Sequence, residues 1–160
     1  MLDTLYRGAH QTPVGARGVT LPNPTEEMQP FWQGLQRGEF LLLRCRRCGS
    51  WRWPVAGCRQ HPNDPYLENM TWTPASGRGT VFSFTVQRVQ HTPAFPVPYV
   101  YAVVELDEGP MMGSNIVNCP PESVHVGLPV RVTVRPITDQ YALPLFEPIS
   151  PVSSSEGRSA

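Results

Sequence analysis

Two pairs of metal-binding residue types lie close together in the first half of the chain and limit the folds that it can adopt. Two residues separate Cys45 from Cys48, and two separate Cys58 from His61. This spacing lets both side chains of a pair reach one ion, and Gly49 permits the tight turn that aims backbone amides at the thiolates. The pattern predicts a zinc ribbon in which these four side chains hold a structural tetrahedral zinc ion.

Two other interpretations of the cysteines stay open. One is a ribbon that has lost its metal and is held together by Trp51, Trp53 and Pro54. The other is a redox dithiol, which the absence of a thioredoxin-like βαβ pattern disfavours. Four protein ligands leave no open coordination position, so we expect no metal catalysis. Cys119 could replace His61 only if a distant segment folded back, and we expect it to be a buried structural thiol.

The second half of the chain has an all-β pattern. Val130, Val132 and Val134 alternate with polar residues, which is the period of a half-buried strand. Four further segments predict strands: 81–89, with Phe82, Phe84 and Val86 on one face, then 99–106, 112–117 and 143–146, with a turn at 107–110. Five strands over about 70 residues suit a small Greek-key barrel of the OB type.

A short helix is predicted upstream of the cysteines, over residues 29–37. Pro30 suits its first turn and Gly38 its end. Phe31, Trp32 and Leu35 share one face, which packs either into the chain's own core or into a partner's groove. Residues 39–60 are predicted to form a strand with its apolar run at 40–43, a turn, and a second short strand on which Trp51 and Trp53 alternate. A short hairpin is expected at 49–57, between the two ligand pairs.

The fold class is therefore mainly β, in four parts. Residues 1–28 are an extended arm, 29–68 the helix and zinc ribbon, 69–149 the five-stranded OB-fold barrel, and 150–160 a disordered tail. The arm is rich in Gly and Pro, and the tail is rich in Ser, which prevents regular structure.

Charge and composition restrict the kinds of partner that this chain is expected to bind. The formal net charge is zero, and all 13 basic residues are Arg. Nucleic-acid binders usually carry a basic excess, so we expect no nucleic-acid partner. Residues 1–10 lack a signal-peptide pattern, and no apolar run is long enough for a membrane span. We expect a cytoplasmic protein, in which four cysteines favour metal or buried thiols over disulfides.

Several strings in the chain resemble one known family, the acyl-CoA-associated OB-fold proteins with a rubredoxin-like zinc ribbon. The resemblance covers about residues 28–148 and rests on Pro30-Phe31-Trp32, the ribbon, Gly77-Arg78-Gly79-Thr80-Val81, Glu105-Leu106-Asp107-Glu108-Gly109-Pro110 and Gly127-Leu128-Pro129-Val130. His61 departs from the four-cysteine ribbon that is common in the family.

The resemblance implies a role as the small, non-catalytic partner of a larger enzyme. The partner would be a thiolase-fold protein, such as a lipid-transfer-protein-like aldolase or an acyltransferase, or a hot-dog-fold hydratase of steroid side-chain degradation. It would carry the catalytic residues, in a hetero-oligomer of two plus two chains that binds a CoA thioester. We expect no turnover by the isolated chain and assign it no catalytic residue.

Three interpretations compete with this one or refine it. A free-standing zinc-ribbon and OB module for nucleic acid is the main rival, although adjacent β aromatics such as Phe82 and Phe84 are more often core. Arginines crowd the ribbon and could grip CoA phosphates or a partner's acidic residues, or could form a solvated face. His91 lies in a Pro-rich loop without an obvious catalytic partner, and its loop suits an interface; His125 is expected at the surface.

Overall fold

A computed structural model describes residues 21–90 and 95–149 of the chain. The predictions for residues 1–20, for His91 and for the tail at 150–160 lie outside the described residues. The regular elements are α1 (Gln29–Gln36), β1 (Leu41–Cys45), β2 (Trp51–Arg52), β3 (Met70–Pro74), β4 (Arg78–Gln87), β5 (Tyr99–Leu106), β6 (Met111–Ile116), β7 (Pro129–Pro136) and β8 (Ala142–Pro148), with short 3₁₀ turns at Glu26–Met28 and Pro121–Ser123.

Helix α1 forms where the sequence predicts it. Pro30 lies in the first turn, and Gly38 follows the helix with a φ of +77°, a conformation that glycine adopts without strain. Phe31 and Leu35 are buried, and both belong to the chain's own hydrophobic core. The structure therefore selects the core over a partner's groove for this face of the helix.

Strands β2, β1 and β3 form a three-stranded antiparallel sheet in that order, which we call the ribbon sheet. Strand β3 has no counterpart among the predicted strands and lies in the range 69–149 that was predicted as barrel. The structure instead pairs it with β1, from Leu41 opposite Pro74 to Cys45 opposite Met70. The predicted strand, turn and second short strand are present as β1 and β2, which pair with each other. The separate hairpin predicted within 49–57 is wrong, because β2 is the one strand described there and its partner is β1.

The five remaining strands form a closed barrel in the order β4-β5-β6-β8-β7. The barrel closes where Arg78–Thr80 of β4 pair with Pro129–Arg131 of β7, and where β6 meets β8 in parallel. All five predicted barrel strands are present. The fold class, mainly β with one short helix and a five-stranded barrel, is confirmed.

A β-bulge alters the face that strand β4 presents. The register with β5 shifts between Val81 and Ser83, so Phe82 has no direct partner. Phe82 and Phe84 are exposed, and Val86 is half-buried. The expectation that these aromatics belong to the core is therefore wrong, because the bulge interrupts the simple alternation on which it depended.

One hydrophobic core joins the helix, the ribbon sheet and the barrel. Phe31, Leu35, Phe40 and Leu42 belong to the same buried cluster as the barrel residues, and the rings of Phe40 and Phe146 lie 6.4 Å apart edge to face. No helix in the described ranges is both long and apolar enough to cross a membrane.

Candidate metal centre and its surroundings

The four predicted metal ligands converge on one point beside the ribbon sheet. Cys45 ends β1, Cys48 lies in the turn to β2, and Cys58 and His61 come from the loop that follows β2. Their donor atoms all lie within 4.8 Å of one another. The Sγ atoms of Cys48 and Cys58 are 3.6 Å apart, and His61 Nδ1 lies 3.4 Å from Cys58 Sγ and 3.7 Å from Cys45 Sγ.

These distances fit one tetrahedral ion. Zinc–sulfur bonds of about 2.3 Å give sulfur–sulfur edges of about 3.8 Å in a regular tetrahedron, and zinc–nitrogen bonds are slightly shorter. The three cysteines and the histidine also form a donor set that zinc commonly takes in structural sites. The Cys₃His cluster can therefore hold a metal ion.

Backbone hydrogen bonds fix the turn that carries the first ligand pair. The Gly49 amide donates to the Cys45 carbonyl, and the Cys45 amide donates to the Ser50 carbonyl, each at 2.9 Å. Gly49 has a φ of +76°, as the sequence predicts for a tight turn at this position. The second pair is held in the same way, because the His61 amide donates to the Cys58 carbonyl at 3.2 Å.

Ser50 is part of the cluster, although the sequence analysis did not single it out. Its Oγ lies 3.1 Å from Cys48 Sγ and 3.4 Å from Cys58 Sγ. The Ser50 hydroxyl, and after it His61, lower the pKa of Cys58 to about 6 against the opposing effect of burial. A thiol with such a pKa is largely thiolate at neutral pH, the form that binds metal. The signal in the sequence is a small hydroxyl residue directly after the glycine of the turn.

The other cysteine and the described histidine outside the cluster do not join it. Cys119 is half-buried and packs against the core, and burial raises the pKa of its thiol. His125 is exposed, as expected, with Nδ1 3.1 Å from the Ser123 carbonyl.

Most of the ribbon arginines bind their own chain. Arg47 forms an ion pair with Asp64 at 2.7 Å, and Arg46 donates to the Glu68 carbonyl. Arg44 donates to the Gly49 carbonyl and lies over the Trp51 ring. The two others, Arg52 and Arg59, line a cavity of about 480 Å³ between the ribbon and the turn at Glu108. These two are the ribbon arginines that remain candidates for an external anion.

The barrel carries exposed aromatic residues on β4 and β5. Phe82 is 54% exposed, Phe84 37% and Tyr101 47%. These side chains do not all share one face of the sheet, because Phe84 pairs directly with the buried Ala102, whereas Tyr101 pairs with Thr85. They lie on the barrel, whereas the candidate metal centre lies beside the ribbon sheet.

Comparison with known proteins places this geometry in a family. Residues 72–135 match the family model described as ChsH2, C-terminal OB-fold domain. The chain is 30% identical over 119 residues to a DUF35 domain-containing scaffold protein of Methanothermobacter thermautotrophicus, and the match covers 72% of this chain and 86% of that protein. The chain belongs to the DUF35 family. This membership confirms the resemblance that the sequence motifs indicate.

Two further relatives of this DUF35 protein carry names that describe a reaction. The 3-oxo-4,17-pregnadiene-20-carboxyl-CoA hydratase alpha subunit of Mycobacterium tuberculosis is 33% identical over 127 residues, which are 79% of this chain and 39% of that subunit. A solved Ltp2-ChsH2(DUF35) aldolase contains a chain that superposes with a TM-score of 0.72 at 27% identity, covering 81% of this chain and 100% of that one. The chain thus spans about two fifths of the hydratase subunits that it matches.

Proposed function

We propose that this chain is a non-catalytic accessory subunit of a thiolase-fold enzyme complex that acts on acyl-CoA thioesters. The observation that carries the proposal is the similarity to the DUF35 chain of the Ltp2-ChsH2(DUF35) aldolase, which extends over the whole of that chain. In this proposal the partner supplies the catalytic residues, and the DUF35 chain stabilises the partner and helps to shape its acyl-CoA site.

The reaction in this proposal is a retro-aldol cleavage or an acyl transfer, and steroid side-chain thioesters are the proposed substrates. The name of the mycobacterial relative, a pregnadiene carboxyl-CoA hydratase subunit, supports that substrate class. A hot-dog-fold hydratase is the alternative partner, because two relatives are named as hydratase alpha subunits. The proposed assembly contains two copies of each chain, as in most closed oligomers with twofold symmetry.

In the proposal a zinc ion held by Cys45, Cys48, Cys58 and His61 is structural. Once bound, it would cross-link β1 to the loop after β2, and the four protein ligands leave it no position for substrate. The proposed compartment is the reducing cytoplasm, where cysteines serve as metal ligands more often than in disulfides. Arg52 and Arg59 are the proposed contacts for CoA phosphates or for acidic groups of the partner.

One observation favours a second function, a free-standing module for single-stranded nucleic acid. The exposed Phe82, Phe84 and Tyr101 lie on adjacent strands of an OB barrel, where such modules stack bases. The zero net charge weighs against it, since neutralising phosphates is the main source of affinity in these modules.

Affinity purification of the tagged full-length chain from its native host, followed by mass spectrometry and light scattering, tests the proposal. We expect a thiolase-fold protein in equal amount and the mass of a two-plus-two assembly. Turnover of CoA thioesters should require both chains. Retention on a polyanion resin that weakens steeply with salt, together with recovery of the chain alone, would instead support the nucleic-acid module.

A further inference from the structure

A cavity of about 500 Å³ lies between α1 and the barrel, away from the candidate metal ligands. Helix α1 forms one wall, and strands β6 and β8 form the opposite wall. Trp53 from the ribbon and Phe95 from the segment before β5 complete it. Its volume falls in the range of about 300–1,000 Å³ that small-molecule sites usually have.

The walls of this cavity are uncharged. Every described residue that lines it is apolar, aromatic or neutral and polar. A charged group would lose its hydration on entering and would find no opposite charge there, which is costly. An uncharged, mainly apolar group would therefore fit these walls best.

The aromatic wall is preformed. Phe31 is 1% exposed, and its ring centroid lies 4.3 Å from that of Trp53 and 5.3 Å from that of Trp32. Rings packed in this way are already ordered before a ligand arrives. Binding then costs little additional side-chain entropy, which favours a specific site over a transient gap.

One side of the cavity carries neutral polar groups. Tyr101 of β5 and Asn115 of β6 are directly paired across the sheet, and both line the cavity. Gly113 makes room for this arrangement, because a Cβ at that position would overlap the Tyr101 hydroxyl. The Ser114 hydroxyl on the same strand already donates to the Pro144 carbonyl at 2.6 Å.

Asn115 supplies a donor that lacks a partner. Its Nδ2 is covered from solvent and has no hydrogen-bond acceptor in the described part of the chain. A buried amide donor without an acceptor is destabilising, and a carbonyl oxygen on a bound ligand would satisfy it. Because Nδ2 has no exposed surface, a ligand can use this donor only if the Asn115 amide rotates toward the cavity, and the proposal below includes that rotation.

We propose that this cavity binds the uncharged, apolar part of a small molecule that carries a carbonyl group, with Asn115 Nδ2 donating to the carbonyl oxygen. The concave shape and the unpartnered neutral donor of Asn115 fit such a molecule better than they fit the flat surface of another protein. The inference goes beyond the accessory role proposed above and does not depend on it, because the site belongs to this chain alone.

The test uses bromine as a contact quencher of tryptophan fluorescence, since Trp32 and Trp53 line the cavity. The zinc-loaded full-length chain is titrated with methyl bromohexanoate, bromohexane and the bromohexanoate anion. We expect saturable quenching by the ester, weaker binding of bromohexane by about tenfold for the missing hydrogen bond, and no saturable quenching by the anion.

Two variants test whether Asn115 is the donor of the hydrogen bond to the ester carbonyl. Asn115→Leu should remove the advantage of the ester over bromohexane. Gln87→Leu is the matched control, because it changes an amide on strand β4 that does not line the cavity, and it should leave the advantage unchanged. If Asn115→Leu fails to fold, Leu143→Phe, which fills the cavity, should weaken both neutral probes.

Three outcomes would overturn the proposal. They are quenching that never saturates, binding of the anion as tight as that of the ester, and an ester advantage that persists in Asn115→Leu.

Discussion

At the scale of single residues, the candidate metal centre is organised by short-range contacts that its sequence spacing makes possible. The turn at Gly49 brings Cys48 back towards Cys45, and Ser50 then lies against the sulfurs of both Cys48 and Cys58. Hydrogen bonds from Ser50 and His61 favour the thiolate of Cys58, so the site is already poised for a cation. A metal that neutralises several thiolates contributes directly to folding, since the unfolded chain lacks the site.

The substitution Cys48→Ser should therefore abolish zinc binding and lower the thermal stability of the chain. We expect the zinc content to fall from about one ion per chain towards zero, and the thermal midpoint to fall, because three remaining ligands hold the ion weakly. Elemental analysis of the purified chain and thermal unfolding measure both effects. Cys119→Ser is the matched control, since Cys119 lies outside the cluster, and it should keep its zinc. Equal zinc in the two variants would contradict the site.

A second residue-scale prediction concerns pH. Hydrogen bonds from Asn118, and after it from Arg131, hold the pKa of Glu147 below its ordinary value of 4.5. A lowered pKa means that the ionised form stabilises the fold above about pH 4.5, and that this contribution is lost as the pH falls through the folded-state value. The contribution is at most about 1 kcal/mol, because the Arg131 side chain is 59% exposed.

Glu147→Gln should accordingly flatten the fall in the free energy of unfolding between about pH 5 and pH 3. Urea unfolding at several pH values measures this slope. Glu122→Gln, which changes an exposed glutamate in the 3₁₀ turn at Pro121–Ser123, should retain the slope of the unmodified chain. A slope that is the same in all three proteins would show that the Glu147 contacts do not stabilise the fold.

At the scale of elements, helices and strands could be predicted from the sequence where their apolar residues recur at regular spacing. The valines of β7 and the apolar run of β5 indicate strands from local pattern alone, and α1 carries helix signals at both ends. Strand β3 has an alternating pattern in Met70, Thr71, Trp72 and Thr73 that could have revealed it, although its pairing with β1 could not be read from the sequence. The bulge at Phe82 and the cavity beside Asn115 depend on contacts between distant segments, which local patterns do not encode.

Close approach of two barrel strands gives a prediction at this scale. A Cβ at Gly79 would overlap the Glu105 carbonyl oxygen of the neighbouring strand β5, a backbone atom that cannot move independently. Gly79→Ala should therefore lower the free energy of unfolding by about 1–3 kcal/mol, the usual cost of overpacking. Urea unfolding measures the change.

Gly57→Ala is the matched control for this substitution. A Cβ at Gly57 meets no atom within 4 Å, so the alanine should leave the free energy of unfolding unchanged or raise it by less than about 1 kcal/mol. Equal losses in the two variants would mean that the effect comes from losing glycine flexibility rather than from crowding between β4 and β5.

At the scale of the whole molecule, the ribbon sheet and the barrel share one core rather than two. Phe40 lies directly before β1, and its ring lies 6.2 Å from that of Phe31 in α1 and 6.4 Å from that of Phe146 in β8. The Ala75 amide also donates to the Phe40 carbonyl at 2.8 Å, which ties the end of β3 to the same point. Metal binding beside the ribbon is therefore linked through packed side chains to the stability of the barrel, as expected for a small chain that cannot form two separate cores.

This shared core predicts that the chain unfolds as one cooperative unit. One tryptophan lies in α1 and the other three lie in residues 51–72, in or beside the ribbon sheet. Far-UV circular dichroism reports mainly on the longer barrel strands. The two signals should give the same urea midpoint, and Phe40→Ala should lower both together by an amount that corresponds to about 3–5 kcal/mol. Phe82→Ala, which removes an exposed ring, should shift neither signal by much. A Phe40→Ala protein in which the fluorescence midpoint falls while the circular dichroism midpoint stays in place would mean that the ribbon and the barrel fold independently.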